Sequence, residues 1–258
     1  MNMLRKSSNP AFAKTDFTSF AKAGEGVMTI NGVINKSLLL LLIIIVGASI
    51  TWNMVFQGNA SVTGIMIGGL IMGLIFAIAT IFKKEWAHIT APLYAISEGL
   101  FLGALSAFIE SSFLTSETGA ATAQSGIVMK AVGLTFAVFL LMFLLYRNKI
   151  IKPTKKFMLG VTAATGAIAL MYLVNMVMAA FGSGLSFLHS SGPFGIIISL
   201  VIVAVAALNL ILDFKFIEDG VSQGAPKQME WYFSFGLMVT LVWLYIEILR
   251  LLALLSRE

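Results

Sequence analysis

Six side chains in this sequence could do chemistry where an apolar chain has little reason to carry them: Glu98, Asn175, Asn209, Asp213, Glu247 and Arg250. Each interrupts a long apolar run. A carboxylate at the centre of a bilayer costs about 2.5–3.5 kcal/mol even on insertion scales, so such residues are expected to face other helices rather than acyl chains. Carboxylates held together in a dry bundle do one of two things. They share a proton, because both cannot ionise cheaply, or they offer oxygen ligands to a hard cation such as Ca²⁺. Asp213 lies in "LNLILDFKFIEDG" with Asn209 one turn earlier on the same helix face, and Glu247 lies in "LVWLYIEILRLLALL" with Arg250 three residues on. Each also has a plainer reading. Asp213 can mark the interface where its helix leaves the membrane, Glu247 can form a structural ion pair with Arg250, and Glu98 and Asn175 can bond a neighbouring helix.

The elements that must position these groups are transmembrane helices. The chain has 258 residues, 59% apolar and 11% charged, against roughly 25% charged in soluble domains. A hydrocarbon core needs about 20 apolar residues per helix. Seven runs meet that length, at 37–56, 61–82, 89–109, 126–146, 157–181, 193–214 and 233–254. Short links join them, so the expectation is an all-α integral membrane protein forming one seven-helix bundle over residues 37–258, preceded by a polar, basic tail over 1–36. The runs do not alternate as barrel strands do. The tail lacks an early apolar core and does not read as a cleavable signal.

Fourteen of the 17 basic residues fall in the N-terminal tail and in the second, fourth and sixth links. The positive-inside rule then puts the N-terminus in the cytoplasm and the C-terminus outside, in a multi-pass protein of the cell (plasma or inner) membrane. Within the spans, Gly64-x-x-x-Gly68, Gly69-x-x-x-Gly73 and Gly99-x-x-x-Gly103 have the spacing that lets helices approach closely, and packing within the bundle is the preferred reading over dimerisation. Glu218, Asp219 and Glu230 read as solvated link charges, and His88 and His189 lack a second histidine at ligand spacing.

Composition narrows the function. No cysteine is present, which removes disulfides, thiolate metal sites and thiol nucleophiles. No zinc helix, nucleophile elbow or glycine-rich phosphate loop occurs, so neither an enzyme nor a resident cofactor is expected. The basic residues lack the aromatic interleaving of a nucleic-acid groove, so no nucleic-acid partner is expected.

The stretches "PLYAISEGLFLGALSA", "AALNLILDFKFIEDG" and "WLYIEILRLLALL" resemble the Bax inhibitor 1 family, also called the transmembrane Bax inhibitor motif family. "MTINGVINK" and "GAPKQMEWY" resemble its bacterial subgroup. The resemblance implies seven helices with the last one central, and a pH-sensitive calcium leak. Its sensor would be a carboxylate pair falling on Asp213 and Glu247, which would also be the groups to meet Ca²⁺. Glu247 stands where the family often has Asp, the link between spans six and seven is longer, and the arginine that some members carry in span two has no counterpart.

The expected function is therefore a cation leak, closed when acidic and open when alkaline, with Asp213 and Glu247 as gate and sensor. Glu98, Asn209 and Arg250 would line the path or tune the pair, and the bilayer, Ca²⁺ and protons would be the partners. The alternative is a non-conducting interaction protein that restrains a membrane protein partner such as a protease or stress factor. A proton-coupled transporter is a third option, weakened by the lack of an inverted repeat.

Overall fold

Seven helices account for nearly all of the described chain. The computed structural model describes residues 26–114, 126–182 and 192–256. The helices are α1 (Ile30–Phe56), α2 (Val62–Phe82), α3 (Ala87–Leu114), α4 (Ile127–Arg147), α5 (Lys155–Ala180), α6 (Pro193–Ser222) and α7 (Met229–Leu255), with a short 3-10 turn at Lys84–Trp86. All seven are long and apolar enough to cross a membrane. The tail residues up to 25, most of the third and fifth links with His189, and Arg257 lie outside the described residues.

Helix α7 occupies the centre. It packs directly on α1, α3, α4 and α6, while α2 leans on α3 and α1. Its inward residues, among them Met238, Leu241, Leu244, Ile248 and Leu249, meet Leu40 and Ile44 of α1, Leu102 of α3, Ala131 of α4 and Leu210 of α6 in one continuous core. Helix α5 stands furthest out, and its extended packing is with α6.

Several boundaries differ from the sequence reading, and three of them have a clear local reason. Helix α1 starts at Ile30 rather than 37, because Thr29 caps it by accepting from the Gly32 amide at 2.9 Å. Residues 30–36 are therefore helix and not tail. The segment before them is also docked: Met28 N–H donates to Ala225 O at 2.7 Å, and Lys227 N–H donates to Gly26 O at 2.8 Å. Helix α6 runs on through Gly220 to Ser222, until Gly224 takes φ +67° and closes the C-terminus. Helix α7 begins at Met229, four residues earlier than expected, as the clasped link turns straight into it.

Glycines set the closest helix contacts. A methyl at Gly103 would come 2.1 Å from Ala48 O of α1, one at Gly99 2.5 Å from Ile44 O, and one at Gly69 2.7 Å from Ser97 O of α3. These glycines bear out packing within the bundle. Gly64 and Gly68 differ, since nothing lies within 4 Å of a methyl at either. Gly103→Ala should accordingly lower stability by about 1–3 kcal/mol through overpacking against backbone. Gly64→Ala should change it by less than about 0.5 kcal/mol. Thermal unfolding of the two variants in detergent checks both.

Candidate functional site

The expected acids occupy two separate places along the seam between α6 and α7. Asp213 lies on the side of α6 that faces α7, near Thr240, whose hydroxyl donates to Gly236 O at 3.3 Å. Its Oδ2 is sealed from solvent and has no hydrogen-bond partner. Beside it is a cavity of about 330 Å³ between the last turns of α2, the early turns of α5 and α7, and α6. All these turns belong to the end of the bundle that carries the lysine-rich links. Asn209, Thr162, Thr165 and Tyr232 add polar side chains to the cavity lining, and Ala77, Val239 and Phe235 belong to its apolar wall. Asn209 donates to the Thr165 hydroxyl at 2.7 Å, which ties α6 to α5 at the cavity floor, and also to Val205 O at 2.8 Å.

Glu247 is 3% exposed and belongs to a different cluster. Its Oε1 accepts from the Tyr172 hydroxyl of α5 at 2.6 Å and from the Trp243 indole N–H at 3.2 Å. Arg250 lies 3.8 Å from Oε2 and donates to the Tyr172 oxygen at 2.6 Å. A relay therefore runs from the Arg250 guanidinium through the tyrosine to the carboxylate. Its chemistry is anchoring: a buried carboxyl with a cation and two donors around it is held in place. The ion-pair reading of Glu247 and Arg250 is the one the geometry supports.

The shared-proton contact between Asp213 and Glu247 is not made. Neither Asp213 Oδ2 nor Glu247 Oε2 has a hydrogen-bond partner, and Oε1 is occupied by Tyr172 and Trp243. The reason is register. Thr240, which meets Asp213, precedes Glu247 by one heptad, so the two share a face but stand about 10 Å apart along the helix at 1.5 Å per residue. The early start of α7 at Met229 puts Glu247 about 27 Å into that helix. It lies well past the depth of Asp213.

Glu98 is buried at the contact of α3 with α2, where a methyl on Gly73 would come 3.0 Å from its Oε2. It is not among the residues lining the Asp213 cavity. Two further acids take roles that the sequence did not suggest. Glu230, read as a solvated link charge, is 1% exposed. It pairs with Lys36 of α1 and accepts from the Thr29 amide at 3.0 Å and the Thr29 hydroxyl at 3.1 Å. Glu110, at the end of α3, accepts from the Val128 amide at 3.0 Å and from Gly126 N–H, capping α4 from outside that helix. Trp243 had a legible signal in its position four residues before Glu247, whereas Tyr172 and Thr240 had none beyond a polar group inside an apolar run.

Among the described residues no cluster of three or more metal-ligating side chains occurs. Any cation met here would bind to one carboxylate with neutral oxygens. Replacing Tyr172 with Phe should strip Glu247 of its shortest hydrogen bond and Arg250 of its acceptor. The expected cost is about 1–3 kcal/mol, since a buried charged group loses a partner. Thermal unfolding of Tyr172→Phe in detergent measures it.

Comparison with known proteins gives one finding. The family model described as "Bax inhibitor 1 like" matches residues 9–257. No curated protein and no solved structure matches the chain. With nearly its whole length matched, the chain belongs to the Bax inhibitor 1-like family.

Proposed function

We propose that the protein is a pH-sensitive cation leak of the membrane, with Asp213 as the titrating station and Ca²⁺ as the permeant ion. The observation that carries the reading is the sealed Oδ2 of Asp213, which has no hydrogen-bond partner and stands at a cavity of about 330 Å³. A buried polar oxygen left unpaired is costly. Either a proton or a cation relieves it. When the group is protonated, the oxygen carries its own donor and the cavity holds no charge. When it is ionised, one carboxylate with the oxygens of Asn209, Thr165 and Thr162 suits a hard cation. A single charge binds that ion weakly enough to release it onward, which conduction requires. The leak is thus closed in acid and open in alkali.

In this reading Glu247 is not the partner of Asp213 but the anchor of the moving part. Helix α5 has its extended packing on α6 alone, and the Tyr172 relay ties it to α7 further along the bundle. Displacement of α5 would lengthen the cavity towards Glu247 and bring the second carboxylate into the path. No enzymatic activity or resident cofactor belongs to this proposal. Helix ends that carry the basic links face the cytoplasm, in a plasma or bacterial inner membrane.

The purified protein in liposomes loaded with a Ca²⁺ indicator should admit several-fold more Ca²⁺ at mildly alkaline than at mildly acidic pH. Asp213→Asn should flatten that dependence, while Glu98→Gln should leave it in place. Wild-type flux no greater than that of empty liposomes at every pH would end the leak reading and leave the non-conducting interaction role.

A further inference from the structure

On the opposite flank from the Asp213 cavity, α1 and α4 diverge without extended packing between them. The groove they leave has a volume of about 840 Å³ and reaches the central helix at Leu237, Met238 and Leu241. Its walls are apolar, with Ile34 and Leu38 on α1 and Phe136 and Leu140 on α4. At the end where α4 terminates the lining changes to Arg147, Lys149, Lys152 and Lys215. Lys215 is paired with Asp219 at 2.5 Å, and Glu218 at the same rim is bonded by the Tyr146 hydroxyl. Arg147, Lys149 and Lys152 are exposed and, among the described residues, make no ion pair.

A second observation lies inside the groove. Ser37 lines it, is only 7% exposed, and its hydroxyl has no hydrogen-bond partner. A helical serine ordinarily bonds back to the carbonyl four residues earlier. Here that carbonyl, Val33 O, already accepts from Ser234 of α7 at 2.9 Å. The Ser37 hydroxyl is left as a spare polar group about 10 Å inside the start of α1 at 1.5 Å per residue.

We propose that the groove between α1 and α4 is a binding site for one anionic phospholipid. Its acyl chains lie against Met238 and Leu241, its phosphate meets Arg147, Lys149 and Lys152, and an oxygen of its glycerol-ester region takes the Ser37 hydroxyl. Apolar flanks of a membrane protein all touch lipid. This one differs in reaching the central helix, in a rim whose cations outnumber its acids, and in a buried donor at the depth between headgroup and chain. Anionic headgroups are the complement of such a rim. The site is independent of the leak reading, since it shares no residue with the Asp213 cavity.

Native mass spectrometry of the full chain tests it, with phosphatidylglycerol and phosphatidylcholine of matched acyl chains offered in competition. Each rim cation contributes about five-fold to the attraction of an anionic headgroup. Wild type should therefore retain one phosphatidylglycerol with a preference of about ten-fold or more, and Arg147→Ala/Lys149→Ala/Lys152→Ala should reduce that to less than about two-fold. Ile34→Trp/Leu140→Trp, at two exposed positions, fills the groove and leaves every cation in place. It should lose the bound lipid. Equal retention of the two lipids by wild type would overturn the proposal. So would undiminished preference in the tryptophan variant, which would mark a diffuse lipid annulus, or displacement by glycerol phosphate without acyl chains, which would mark a plain phosphate site.

Discussion

Polar side chains on a helix at the centre of a membrane bundle have no water to turn to, so the surrounding helices must answer them. Helix α7 carries such groups along its whole length, and the answers come from different neighbours in turn. Glu230 is met by Lys36 and Thr29 at the start of α1, and Ser234 donates to Val33 O on the same helix. Thr240 meets Asp213 of α6, Tyr245 pairs with Ser106 of α3 at 2.6 Å, and Glu247 is held by Tyr172 of α5. Hydrocarbon offers little preference among apolar helix faces, because lipid tails are as apolar as leucine. The order of the helices around α7 therefore follows these directional contacts. Apolar packing then fills the space they define.

The helices that do not answer α7 in this way are fixed by their neighbours. Helix α2 approaches α3 through Gly69 and Gly73, and α4 has its N-terminus capped by Glu110 of α3. Helix α5 is the exception. It hangs from the bundle by Thr165 with Asn209 at one level and by Tyr172 with Glu247 and Arg250 at another. The first tie forms the floor of the Asp213 cavity, and the second lies beyond it towards the other end of the bundle.

Most of the fold was legible because length and hydropathy dictate transmembrane helices directly, and the glycine spacings marked the close α1–α3 and α2–α3 contacts. Residue placement along the helices was less so. Glu230 looked like a link charge because nothing in "GAPKQMEWY" reveals that residues 26–29 fold back onto residues 225–228 and bring Thr29 and Lys36 over it. Asp213 and Glu247 were each recognisable as acids in apolar runs, Asp213 reading as well as an interfacial group and Glu247 as well as an ion-pair partner of Arg250. Their meeting was not decidable from sequence, because it depends on where α7 begins, and a shift of one turn moves every group along the seam. Tyr172 could not be linked to Glu247 at all, since partners 75 residues apart leave no local periodicity to read.

The central claim is that the two acids act apart, Asp213 facing its cavity and Glu247 bound into the α5 relay. Double-mutant cycles on unfolding stability test it most directly, pairing Glu247→Gln in one cycle with Tyr172→Phe and in another with Asp213→Asn. The account predicts a coupling of about 1–3 kcal/mol between Tyr172 and Glu247 and less than about 0.5 kcal/mol between Asp213 and Glu247. A coupling between the two carboxyl groups as large as that with the tyrosine would contradict it.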